Sequence, residues 1–316
     1  MIKFVFFGTD DFSSAVLEEL KKSGLIPALI VTVPDRPKGR GLALTPPPVK
    51  LWAQEHKIES LQPEKLGQEF ATILQSMRVD CFVVASYGKI IPKEILDIPE
   101  KGALNVHPSL LPKYRGASPI ESQILADEKE VGVTIMLMDE KMDHGPTLAS
   151  WKLETGNWKV RSAPDVVASS ATRRGGGIAQ TSGAKKLKKR LAEEGGKLLA
   201  ETIPKWMSGE IKAVPQDESK ATYTKKITKK DGLLDLAGDP YQNFLRIRAY
   251  DGSVGTYFLK NNKRVIIKEA RFENLPAQAG GKLIITRVIQ EGKKEMDYNV
   301  GFSAGSGAMG RARQIL

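Results

Sequence analysis

The sequence predicts an α/β protein: a doubly wound, mostly parallel sheet followed by a smaller C-terminal β-barrel. Three observations predict it. Over residues 1–155, predominantly apolar runs, such as "FVFF", "LIVTV" and "CFVVAS", alternate with stretches whose apolar residues recur at helical spacing. Strands that are apolar on both faces are buried on both faces, as in a parallel sheet covered by helices. From Tyr223 onward the signal changes to short strands rich in Lys and Arg, with "GTYFLKNNKRVIIKEARF" reading as a hairpin about Asn261–Asn262. A chain of 316 residues has room for two domains.

Taken in order, Ile2–Phe7 is a buried strand, and "GTDD" turns into a helix capped by Thr9, Asp10 or Asp11. In that helix Phe12, Val16, Leu17 and Leu20 form one stripe, Glu18 is expected to pair with Lys22, and Gly24 ends it. "LIPALIVTV" is the next strand. Helices follow over Val49–His56 and Gly67–Met77, then the strand "CFVVAS", a short helix after Pro92, the strand "ALNVH", a helix near Pro119–Ala126 and the strand "VGVTIMLM". Residues 156–184 show no clean period and read as an irregular insertion. "KKLKKRLAEEGGKLLAETIPKWMSGEI" is helical through Leu187, Leu191, Leu198 and Leu199, with Gly195–Gly196 as its weak point. "KAVPQDESKATYTKK" reads as a polar linker, "KLIITRVI" as a strand, and the tail "NVGFSAGSGAMGRARQIL" as loose. The implied division is an N-terminal domain over 1–203, a linker over 204–222 and an OB-like barrel over 223–316.

A formal net charge of +11 favours an anionic partner, nucleic acid first. The single cysteine, Cys81, excludes an internal disulfide and a zinc site of several cysteines, and suits a reducing compartment. No stretch approaches the ~20 apolar residues of a membrane span, and the apolar run at the amino end is too short for a secretory leader. A cytoplasmic monomer is expected. "FFGTDDF" has one glycine where a dinucleotide fingerprint needs three.

The chemistry concentrates in "NVHPSLLPKYRGASP", Asn105–Pro119. Asn105 and His107 alternate, so they share one face of a strand, at the carboxyl end where open α/β sheets bind ligands. Downstream, "MDEKMDHGPTL" supplies Asp139 and Asp143. An Asn amide and a protonated imidazole stabilise a tetrahedral oxyanion, and an Asp beside the His relays protons. That set performs acyl-type transfer with neither a metal nor a covalent nucleophile. The same residues also fit plainer roles: Asn in a turn, His satisfied in the core, Asp as a cap. His107, Asp143 and His144 also have the composition of a metal site. The segment Pro34–Lys50, "PDRPKGRGLALTPPPVK", is long for a βα connection, usually about 2–6 residues. Its Arg36, Lys38 and Arg40 suit phosphate contacts; a solvated loop is the alternative. Lys113 and Arg115 are expected either to face anionic partners or to be plain surface.

"NVHPSLLPKYRGASPI" followed by "GVTIMLMDEKMDHGPTL" closely resembles the folate-dependent formyltransferase family. "FFGTDDFSSAVL", "VPDRPKGRG" and "ASYGKIIP" narrow the resemblance to the branch that formylates methionyl-tRNA. It covers residues 1–155 and about 185–298. The resemblance implies that Asn105, His107 and Asp143 are the catalytic trio and that Ser109, Leu110, Leu111 and Pro112 line the site of 10-formyltetrahydrofolate, with no metal. It implies that the Pro34–Lys50 loop, with Arg36, Lys38 and above all Arg40, engages the acceptor end of initiator methionyl-tRNA, and that the C-terminal barrel helps hold the tRNA. The rival acceptors are small amines, glycinamide ribonucleotide or an amino sugar nucleotide; the rival outside enzymology is a non-catalytic RNA-binding relative. Four features depart from the pattern: Asp10 stands where proline is usual, residues 156–184 lack the expected helix start, "AYDGSVGTYF" lacks the proline-tryptophan-proline type of turn, and the tail after Asn299 is foreign.

Overall fold

The computed structural model describes residues 2–38, 41–153, 183–274 and 281–303. The insertion expected at 156–184 and the tail beyond 303 therefore lie outside the described residues, apart from 183 and 184. From the amino end come β1 (Phe4–Gly8), α1 (Asp11–Lys22), β2 (Leu29–Val31), β3 (Arg36–Lys38) and β4 (Ala43–Thr45). Next are α2 (Pro48–Glu55), β5 (Ser60–Leu61), α3 (Gln68–Met77), β6 (Cys81–Ala85), α4 (Lys93–Leu96), β7 (Ala103–His107) and β8 (Arg115–Gly116). Then follow α5 (Pro119–Leu125), β9 (Val131–Leu137), β10 (Thr147–Leu153), α6 (Ala184–Ser208), β11 (Tyr223–Thr224) and α7 (Pro240–Ala249). The described chain ends with β12 (Thr256–Lys260), β13 (Lys263–Asn274), β14 (Gly281–Gln290) and β15 (Glu295–Ser303). Two compact units are distinguished: Met1–Pro119 with Glu130–Leu153 and Lys188–Lys225, and Ile120–Lys129 with Glu154–Leu187 and Lys226–Leu316.

The first unit is built on a seven-stranded sheet in the order β10-β9-β7-β6-β1-β2-β5. β5, β2, β1, β6 and β7 run parallel, and β9 and β10 extend the sheet antiparallel to their neighbours. The mostly parallel, doubly wound architecture expected from the apolar runs is thus the one observed. β1, β6 and β7 are buried along their whole length because helices cover both faces. On one face Phe7 is the hub of an aromatic cluster with Phe82, Tyr87 and Phe70. β10 was not foreseen. Its residues are only half-buried or exposed, so no apolar run marks it, and pairing with β9 alone makes it a strand.

Helix α1 starts at Asp10, whose Oδ1 accepts from the backbone N–H groups of Phe12 and Ser13. Its Oδ2 accepts from Lys188 Nζ at 2.5 Å, which ties α1 to α6. A proline at this place would offer neither bond. The expected Glu18–Lys22 pair does not form. Glu18 accepts from Trp52 Nε1 at 3.1 Å, and Lys22 turns to Glu19 at 2.6 Å instead.

The expectation for Gly195–Gly196 is corrected. Helix α6 runs unbroken through both residues. A Cβ on Gly195 would lie 2.7 Å from Val106 Cγ1 and 3.0 Å from Val133 Cγ1, and one on Gly196 would lie 2.7 Å from Glu19 Cβ. The glycines are therefore the places where α6 touches the sheet and α1 at backbone distance.

In the second unit β12-β13-β14-β15 form an antiparallel meander. The small basic barrel expected there takes the form, among the described residues, of this four-stranded sheet packed with α7. Asn261 and Asn262 occupy the β12–β13 turn with φ of 50° and 58°, as a two-residue hairpin requires. Phe244 of α7 stacks on Phe272 over a core of Leu234, Phe258, Val265, Leu283 and Ile285. The tail is corrected in part: 299–303 are not loose but complete β15, where Phe302 pairs with Leu283 and packs on that core.

Two outcomes are expected. Gly195→Ala should lower stability by about 1 kcal/mol, because an overpacking cost of ~1–3 kcal/mol exceeds a helix-propensity gain of ~1 kcal/mol. Urea unfolding reads the sign, and a stabilised variant would show that α6 can lift off the sheet. Cys81 is fully buried and its thiol is pushed up to about 12, chiefly by burial. A thiol reagent should label it in urea and not in the native protein; fast native labelling would contradict the packing of β6.

Candidate active site

The site is assembled at the end of β7. Asn105 and His107 lie on one face of the strand and are 9% and 4% exposed. Val106, on the other face, meets α6 at Gly195. No other group among the described residues engages the Asn105 side-chain amide. The chain then folds back on itself. Ser109 N donates to His107 O, and Thr134 of β9, directly opposite His107, donates to Ser109 O at 2.7 Å and accepts from Leu111 N at 3.1 Å. The Ser109 hydroxyl is fully buried and donates to Lys113 O at 2.6 Å. Ser109 therefore shapes the turn, and the half-buried Leu110, Leu111 and Pro112 form its accessible apolar surface.

Each ring nitrogen of His107 faces an acceptor. Nε2 lies 3.1 Å from Tyr114 O, so in this arrangement it carries a proton. Nδ1 lies 3.6 Å from Asp143 Oδ1, an ion-pair approach longer than a hydrogen bond. Asp143 Oδ2 accepts from Gly116 N at 2.6 Å. Tyr114 and Asp143 both have left-handed backbones, φ 63° and 49°. Non-glycine residues hold that conformation only when their surroundings enforce it. The trio read from the sequence thus comes together in space. His144 does not join it: its Nδ1 lies 2.6 Å from Asp139 Oδ2 and its Nε2 3.7 Å from Glu218 Oε1. Among the described residues no group of three or more His, Cys, Asp or Glu has the arrangement of a metal site.

Arg115 is the main surprise. It faces no incoming anion, because its side chain is fully buried. Its two terminal nitrogens grip Glu218 at 2.9 and 2.6 Å; Gln216 Oε1 accepts from Nη2 at 2.8 Å, and the Tyr223 hydroxyl lies 3.1 Å from Nη1. The Glu218 hydrogen bond raises the guanidinium's pKa further, and Arg115 in turn holds the Glu218 carboxyl below the usual carboxylate range. The partners come from the segment that reads in sequence as a polar linker. That segment adds β11 alongside β8, with Tyr114 N donating to Thr222 Oγ1 and Arg115 N to Thr222 O. Composition carried no sign of this. The only local hint is the density of hydrogen-bonding side chains in "PQDESKATYT".

In the Pro34–Lys50 segment, β3 and β4 pair as a small hairpin. Arg36 is exposed on β3, Lys38 ends that strand, and Arg40 lies outside the described residues. Leu42 and Leu44 are exposed beside them. The base of the loop is pinned at Asp35, which accepts from Gln62 Nε2 at 2.7 Å and from Lys50 Nζ at 2.9 Å; the Gln62 bond first, then Lys50, lowers its pKa. No helix among the described residues is long and apolar enough to cross a membrane.

The formyl transferase family model matches residues 2–158. The methionyl-tRNA formyltransferase of Halalkalibacterium halodurans is 39% identical over 83% of this chain and 76% of its own length. That of Desulforamulus reducens is 35% identical over 94% and 92%. Among solved structures, the N-formyltransferase from Helicobacter canadensis, in complex with folinic acid and dTDP-3-aminofucose, superposes with a TM-score of 0.58 at 15% identity over 96% of this chain and 99% of that one. That likeness speaks for the fold alone, whereas the identity to the methionyl-tRNA formyltransferases extends over most of the sequence. On those matches, the chain belongs to the methionyl-tRNA formyltransferase family.

Proposed function

We propose that Asn105, His107 and Asp143 carry out this family's reaction here: transfer of the formyl group of 10-formyltetrahydrofolate to the α-amine of initiator methionyl-tRNA. The observation that carries the reading is the His107–Asp143 approach of 3.6 Å, on the strand face that also carries the Asn105 amide, which no other group among the described residues engages. Attack of the amine on the formyl carbon forms a new C–N bond and places negative charge on the formyl oxygen. The Asn105 amide donates to that oxygen, and the imidazolium form of His107 stabilises it through its charge. The His107–Asp143 pair takes up the proton lost by the attacking nitrogen and returns one to the folate nitrogen as its bond to the formyl carbon breaks. Hydrogen bonds of this kind are often long before substrate binds, which suits the 3.6 Å separation.

The folate fits the residues present. Leu110, Leu111 and Pro112 offer an apolar shelf next to the trio, and Thr134 fixes its backbone. The acceptor is large and anionic in this reading. A small amine requires neither the Pro34–Lys50 hairpin nor the run of exposed cations in the second unit, where Lys260, Lys263, Arg264 and Lys268 are all exposed. Arg264 also stacks on the Tyr257 ring at 3.8 Å, a pairing of cation and aromatic face that suits a nucleic acid. Arg36, Lys38 and Arg40 then hold the acceptor end near the trio, and the chain acts as a cytoplasmic monomer.

Asn105→Ala and His107→Ala should each lower kcat by ~10²–10³ with the fold intact, the usual loss for one oxyanion donor. Asp143→Asn should cost about as much. Steady-state formylation of charged tRNA, with circular dichroism as the folding control, checks all three; activity within a few-fold of wild type removes that residue from the mechanism. Arg36→Ala and Arg40→Ala should raise KM for methionyl-tRNA and flatten its salt dependence while the folate dissociation constant stays unchanged. Unaltered tRNA kinetics would detach the loop from the reaction, and faster transfer to a small amine would move the substrate assignment there.

A further inference from the structure

We infer that Gln216 is the positioning residue of the catalytic imidazole. The inference rests on the roles proposed for His107 and Asp143 and goes beyond them, because Gln216 touches neither side chain. Its amide is used in full. Oε1 accepts from Arg115 Nη2 at 2.8 Å and Nε at 3.2 Å, while Nε2 donates to Asp143 O at 3.0 Å and Gly145 O at 2.7 Å. The orientation of the amide is unambiguous, since the reverse would set a carbonyl against two carbonyls and an NH2 group against a guanidinium.

The groups it ties together are the two that face His107. Arg115 directly follows Tyr114, whose carbonyl receives His107 Nε2. Asp143, whose backbone carbonyl Gln216 holds, sets its carboxylate against Nδ1. Both Tyr114 and Asp143 are non-glycine residues at positive φ, a conformation that relaxes unless something restrains it. One side chain therefore spans the two strained loops that bracket the imidazole. It does so from a segment whose other contacts, Thr222 to Tyr114 N and Thr224 Oγ1 to Ser118 N, pin the same loop. Loss of the tether leaves substrate contacts in place and lets the imidazole and carboxylate drift apart.

The test uses two variants of the full chain. Gln216→Glu keeps the acceptor toward Arg115 and turns an oxygen toward the Asp143 and Gly145 carbonyls, so it breaks one half of the tether. Gln216→Met fills the space and breaks both. Lys212→Ala, exposed on the same stretch, is the control. A displacement of about 1 Å at a reacting group is worth up to ~10² in rate, so kcat should fall ~10–100-fold in both variants while KM for methionyl-tRNA and for the folate stays within about threefold. The His107 ring-nitrogen resonances, assigned by their loss in His107→Ala, should shift in both variants and not in the control. Four results would overturn the inference: a folded variant with wild-type kcat, a change confined to KM, a fall in kcat with unshifted His107 resonances, or failure of both variants to fold, which marks an architectural residue. A wild-type chain that formylates no methionyl-tRNA would instead defeat the reading on which the inference rests.

Discussion

The buried guanidinium of Arg115 is the constraint from which the site follows. A cation withdrawn from water must be met by charge and by acceptors, or the structure carries several kcal/mol of desolvation. Arg115 is met by Glu218, Gln216 and Tyr223, all from one stretch more than a hundred residues downstream. Satisfying the cation therefore lays that stretch across the loop after β7. Once there, the stretch supplies Thr222 to the Tyr114 backbone and Gln216 to the Asp143 backbone. The geometry around His107 is a consequence of solvating Arg115 from inside the protein.

The other support comes from beneath. β7 is pressed between two layers, so its alternate residues have opposite fates. Val106 meets α6, where Gly195 lets the helix backbone come within contact distance, while Asn105 and His107 lie on the opposite face of the strand. Thr134 on the neighbouring antiparallel strand reaches across to the turn after His107 and holds it through two hydrogen bonds. The imidazole thus stands on a rigid strand and is flanked by two loops held by others. That division suits a reaction in which little covalent chemistry is asked of the protein and placement of donors does most of the work.

The charge of the chain is distributed in keeping with its large partner. Among the described residues Arg36, Lys260, Lys263, Arg264 and Lys268 are exposed, whereas Arg115 is buried and neutralised. A net positive charge raises the rate of encounter with a polyanion, and it leaves orientation to specific contacts.

Much was legible in the sequence. Apolar runs reported strands buried on both faces, and paired asparagines reported the β12–β13 hairpin because a two-residue turn needs two residues tolerant of positive φ. Alternation placed Asn105 and His107 on one face, since a strand has period two. These are local properties, set within an element by its own spacing. The sequence could not say that Glu18 would be taken by Trp52, that Gly195–Gly196 marks a close approach instead of a break, or that β10 is a strand at all. Nor did "DESKATYT" show that it walls the site. Each of those outcomes depends on which distant group arrives opposite a given side chain; the Arg115–Gln216 bond spans 101 positions. Periodicity records which way a residue faces within its element. What it meets there is decided by packing, because a polar group is indifferent to burial only when a partner from elsewhere in the fold satisfies it.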